Sequence, residues 1–191
     1  MKKMLALAFV ALMASAVAAQ PGMGIFFSNE SFTDADTNFD TAGAAFDAYL
    51  VLLGAEFASV GGYECGVDIS DAGVFILDVS GPNGWTNFGD NTNHLCGYQT
   101  PLMVDPDQTI VLATFNMLYA GTAEVTIALG QSTPPSLPDW DGPVVADAAF
   151  PDDLIGTYCT GGETPGVVAT LNGDGVTATE ARSLSDIKAL F

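Results

Sequence analysis

Positive charge is what this chain of 191 residues lacks most: four Lys and Arg stand against 23 Asp and Glu, for a formal net charge of −19 at pH 7. Two of the four are Lys2 and Lys3, so Arg182 and Lys188 are the only cationic side chains beyond the first residues. Binding to a phosphate backbone displaces counterions with Lys and Arg, which excludes nucleic acid as a partner. Anionic membrane surfaces are disfavoured for the same reason. Histidine is scarce too, with His94 alone. A Ser-His-Asp triad would have to use it, oriented by Asp90 or Asp105, and no Gly-x-Ser-x-Gly elbow accompanies it. An ordinary surface-loop histidine is the expectation. Walker patterns, zinc spacings and repeats of 20–50 residues are also missing. Beyond residue 19, no apolar run approaches the roughly 20 residues that cross a bilayer.

The start of the chain carries an export pattern. Lys2 and Lys3 precede an apolar run from Met4 to Met13, followed by small residues from Ala14 to Ala19. Val17-Ala18-Ala19 fits a signal-peptidase site, with cleavage expected between Ala19 and Gln20. The mature protein is then secreted or held at the cell surface, with no membrane span. Only three cysteines are present, Cys65, Cys96 and Cys159. In an oxidising compartment one disulfide is expected and one thiol is left over. Of the three pairings, Cys65 with Cys96 is favoured because these two are nearest in sequence.

What fills the rest is short apolar runs broken by Gly, Pro, Asn and Asp, the pattern of strands joined by turns. Strands are expected at 24–28, 45–53, 62–69, 74–79, 109–119, 123–129, 144–146, 155–159 and 167–171. Val125, Ile127 and Leu129 share one face of their strand, and Glu124, Thr126 and Ala128 the other. The segment Ala45–Leu53 is apolar on both faces, which places it centrally in a sheet. Residues 85–93 are expected to form a long exposed loop, and the run Thr133–Pro138 cannot extend a ladder because Pro lacks the N–H donor. Near the end the period changes: Ala181, Leu184, Ile187 and Leu190 recur at helical spacing, predicting a short amphipathic helix over Thr177–Ala189. The expected organisation is a leader over 1–19, a β-sandwich domain over 20–171 and a helical tail over 172–191.

Several groups carry candidate chemistry. Asp34, Asp36, Asn38 and Asp40 alternate, and oxygen ligands at every second position can converge on calcium where the backbone turns. The spacing matches the first four ligand positions of an EF-hand loop, but Phe39 and Ala45 stand where that loop needs Gly and Glu. Trp85 and Trp140, with Phe88 and Tyr98, fall in or near expected loops, where exposed rings can stack on sugars. Acids are too abundant for one glycosidase pair to stand out.

The stretches AAFDAYLVLLG (44–54), TIVLATFNMLYAG (109–121) and TAEVTIALG (122–130), with GGYECGVDI between the first two, resemble strands of the cohesin-like, jelly-roll β-sandwich modules of secreted bacterial proteins. The resemblance covers roughly residues 24–171. It implies a nine-stranded sandwich with a protein-binding or structural role and no catalysis; cohesins bind dockerins through one sheet face.

The leading expectation is therefore a mostly β, cohesin-like two-sheet sandwich with a short C-terminal helix, acting as an exported adhesion or assembly module. Its partner is an extracellular or surface protein, and calcium is the one cofactor with a candidate site. The alternatives are a carbohydrate-binding module that uses Trp85 and Trp140 on a polysaccharide, and a glycoside-active enzyme.

Overall fold

The structure, a computed structural model, describes residues 20–39 and 42–173. The expected leader, Asp40 and the expected C-terminal helix lie outside the described residues.

Alternating burial organises the chain into strands: β1 (Gly22–Phe26), β2 (Asp36–Thr37), β3 (Ala44–Leu53), β4 (Ser59–Ile69), β5 (Val74–Ser80), β6 (Trp85–Asn87), β7 (Asn93–Met103), β8 (Thr109–Tyr119), β9 (Val125–Gly130), β10 (Val144–Asp147), β11 (Leu154–Gly156), β12 (Tyr158–Cys159) and β13 (Gly166–Leu171). No helix occurs among the described residues. In β8, Ile110 and Leu112 face inward, then Ala113, Phe115, Met117 and Tyr119. The parity changes where the β3–β8 ladder shifts register, so one bulge keeps the apolar side chains on the core side along the whole strand.

The strands form two sheets. One has the order β12-β1-β3-β8-β5. In the other, β4 is the hub: it pairs antiparallel with β7, β9 and β10, while β6 adds to β7, β11 to β10, and β13 and β2 extend beyond β9. Leu50, Leu112, Phe115, Val60, Tyr63, Ile127 and Leu171 from both sheets meet in one core. β3 lies between β1 and β8, the central position that its two apolar faces require. Its outward Val51 is covered too, by Phe26 and Ala35 with Phe32 beside them.

The expected loop over residues 85–93 contains β6, and the strand β7 follows it directly. The turn before them is the Gly-Pro-Asn-Gly break: Asn83 and Gly84 both have positive φ, 54° and 71°, a conformation natural to these two residue types. β7 is hard to see in sequence because its inward residues, His94, Cys96, Tyr98 and Leu102, alternate with outward residues that include Gly97 and Gln99, and Pro101 interrupts it.

No Lys or Arg lies between residues 20 and 173, so no carboxylate of the sandwich can pair with a cationic Lys or Arg from within it. Burial of apolar surface must hold the fold together against carboxylate repulsion. Raising NaCl from about 20 mM to about 500 mM at neutral pH, which shortens the screening length severalfold, should therefore raise the melting temperature by a few degrees in calorimetry. A melting temperature that falls with salt would contradict this picture.

Candidate functional site

Two strands flank β4 over the same residues and create a floor. Glu64 pairs with Leu95 of β7 and Val144 of β10, and Gly62 pairs with Gly97 and Ala146. Ala146 in turn pairs with Leu154 of β11. Tyr63, Cys65 and Cys96 belong to the core, so strand alternation sends Gly62, Glu64, Leu95 and Gly97 to the outer face. Two glycines side by side leave that face bare; a Cβ on Gly97 would meet nothing within 4 Å. The outcome is an open pocket of about 300 Å³, walled mostly by apolar groups that include Leu95, Val144, Leu154 and Phe88. Phe88 is 78 % exposed, and its N–H donates to Leu95 O at 3.0 Å.

Glu64 also lines the pocket and is only 8 % exposed. The proline-rich segment after β9 lies over it. There the Ser136 N–H donates to Oε1 at 2.8 Å, and the Ser136 hydroxyl donates to Oε2 at 2.9 Å. Sequence reasoning passed over Glu64, Gly62 and Gly97. The available signal was parity: once Tyr63, Cys65 and Val67 are assigned inward, Gly62, Glu64 and Gly66 must face outward.

His94 is not a surface-loop residue. It is fully buried in β7, its ring 5.2 Å from that of Phe115. Burial is tolerated because both ring nitrogens have partners. The Asn91 carbonyl can only accept, so Nε2 carries the proton and donates to it at 3.2 Å; Nδ1 then accepts the Tyr63 hydroxyl at 2.9 Å. Tyr63 in turn accepts the Trp85 Nε1–H at 3.3 Å. Burial lowers the His94 pKa below its ordinary value, against the opposing pull of the Asn91 carbonyl and of Asp90.

The other expected site residues are dispersed. The Trp85 indole N–H is taken up by Tyr63, while Trp140 donates to Pro143 O at 3.0 Å and packs edge-to-face on Tyr158. The two indoles are partly buried and donate to different partners. Where the sequence favours a Cys65–Cys96 disulfide, the structure has free thiols at Cys65, Cys96 and Cys159, all buried. Cys65 lies opposite His94 and Cys96 opposite Tyr63, so the two sit diagonally across the β4–β7 ladder. Burial raises all three thiol pKa values, that of Cys96 to about 11. In the acidic loop, Asp36 lies in β2 and accepts the Thr170 hydroxyl at 2.6 Å, whereas Asp34 and Asn38 are exposed. Extended chain spaces alternate residues about 7 Å apart. Among the described residues, no group of three His, Cys, Asp or Glu is placed to hold a metal.

No family model matches the chain, and no curated protein matches it in sequence. Solved structures match it in fold. The sixth cohesin of scaffoldin B from Acetivibrio cellulolyticus, in complex with a dockerin, superposes with a TM-score of 0.52 at 9 % identity, covering 81 % of this chain and 99 % of its own. A type I cohesin–dockerin complex from Clostridium thermocellum gives 0.52 at 9 %, covering 80 % and 98 %. A type II cohesin domain from the Acetivibrio cellulolyticus cellulosome gives 0.51 at 14 %, covering 82 % and 97 %. The chain has a cohesin-like jelly-roll fold.

Two tests follow from the buried polar groups. The unfolded chain takes up a proton on His94 as pH falls through about 6.5, while the folded chain resists it. The stability His94 lends is therefore full above that pH and declines below it. His94→Gln should be less stable than the parent at pH 7.5, with the gap narrowing by pH 5.5 in urea titrations; a gap independent of pH would refute burial of a neutral imidazole. Ellman's reagent should find almost no reactive thiol in the native protein and three after unfolding; rapid native labelling would contradict the burial of the cysteines.

Proposed function

We propose that this chain is an exported, non-enzymatic adhesion or assembly module that binds a protein partner through the outer face of β4, β7, β10 and β11. The observation that carries this reading is the pocket on that face with Phe88 standing 78 % exposed at its rim. A large exposed ring beside an apolar depression is the form of an interface anchor, which gains most of its energy when a partner removes it from water. The neighbours in fold add support, since several were solved as cohesins in complex with dockerins. The leader pattern supports action outside the cytoplasm, in solution or at the cell surface. Such a role needs no reacting group, only shape, apolar area and a polar rim.

Interferometry of the immobilised protein against a panel of dockerin modules, envelope proteins of its host and glycans tests this reading. Gly97→Val places a strand-favouring side chain where nothing stands within 4 Å, so it should fill the pocket and leave the circular dichroism spectrum unchanged. With Phe88→Ala, it should weaken the parent's protein binding at least about tenfold, the scale of a hot-spot loss. Binding that both variants retain, or binding to glycans alone, would overturn the proposal.

A further inference from the structure

We infer that the pocket between β7 and β10 receives a Lys or Arg side chain of the partner, with Glu64 as its counter-charge. This rests on the protein-binding reading above and names what that surface recognises. Among the described residues Glu64 is the only buried carboxylate. Buried charges are ordinarily paired, since an isolated one is costly. The sandwich has no Lys or Arg to supply a mate, and Ser136 provides only two neutral hydrogen bonds. A cation to pair with Glu64 can therefore come only from outside the sandwich.

The shape agrees with that chemistry. Leu95, Val144 and Leu154 offer apolar wall for a methylene stem, and Glu64 lies in the same pocket to meet the charged head, the way long basic side chains divide between apolar and polar surroundings. A volume of about 300 Å³ is at the small end for ligand sites, which suits a single long side chain. The surrounding field has the same sign. On the same outer face, a neighbouring cleft of about 760 Å³ is lined by Asp68, Asp90 and Glu163. Hydrogen bonds from Thr92 and Asn93 hold the Asp90 carboxyl below the usual carboxylate range, so its charge persists into mild acid. A partner presenting basic residues is steered to this face and an acidic one is repelled.

Amide NMR on the full chain, titrated with Nα-acetyl-lysine methylamide, its arginine counterpart and the uncharged Nα-acetyl-norleucine methylamide, separates charge from apolar fit. Enough salt is added to screen the exposed carboxylates. The two cationic probes should shift the amides of Gly62, Leu95 and Gly97 saturably, with norleucine at least about fivefold weaker. Glu64→Gln keeps an oxygen for the Ser136 N–H and should reduce the cationic probes to the norleucine level. Gly97→Val, which leaves Glu64 untouched, should abolish binding of all three. Equal binding of norleucine and lysine would overturn the inference while leaving the protein-binding reading intact. Shifts spread over the acidic loops, with none at the pocket, would overturn it as well. Loss of partner binding in Gly97→Val decides the protein-binding reading separately.

Discussion

Contact between the inner faces of two sheets is the interaction on which everything else here depends. Most domains supplement apolar burial with ion pairs at the surface, each worth little but numerous. This sandwich has no Lys or Arg to make them. Leu50 and Leu52 from one sheet, Val60 and Ile127 from the other, and Phe115 between them are fully buried. Their packing has to offset both chain entropy and the mutual repulsion of the carboxylates. It explains why breaks in register matter: a one-residue bulge in β3–β8 and a larger irregularity in β4–β7 keep the apolar side chains facing inward along strands of ten and eleven residues.

Within that core one polar chain is admitted, running from Trp85 through Tyr63 and His94 to the Asn91 carbonyl. Every buried side-chain nitrogen and oxygen among the described residues has a partner, so the polar groups fix strand pairing without an unsatisfied group. Tyr63 has a second consequence. By filling the inner side of β4 it leaves Gly62 and Glu64 to the outer side, and the pocket is the reverse of the same alternation. Core and candidate site are two faces of one strand, set by a period of two residues.

Much of the fold was legible because its strands announce themselves by that period. β8 was bounded correctly at Thr109–Tyr119, β3 to within one residue, and its central position followed from apolar residues on both faces. β7 escaped because His94 stands for an apolar residue on its inner face, while Gly97 and Pro101 look like loop chemistry. Missing β7 hid the candidate site, since Gly97 has no meaning as a pocket floor until it is set beside Gly62. The candidate site residues named from the sequence depend on more than spacing. In the acidic series Asp36 lies in extended chain, where side chains two apart run parallel about 7 Å from each other, and the two tryptophans donate to separate partners within the fold. Spacing records which residues share a face; convergence needs the partner strands, and those come from elsewhere in the chain.

The missing cations also bear on proteolysis. Proteases that cut after Lys or Arg find no susceptible bond between residues 20 and 173, whether the sandwich is folded or transiently open. Degradation by that whole class of enzyme is closed off by covalent composition alone, independently of folding stability. Its turnover over this stretch is left to proteases of other specificities.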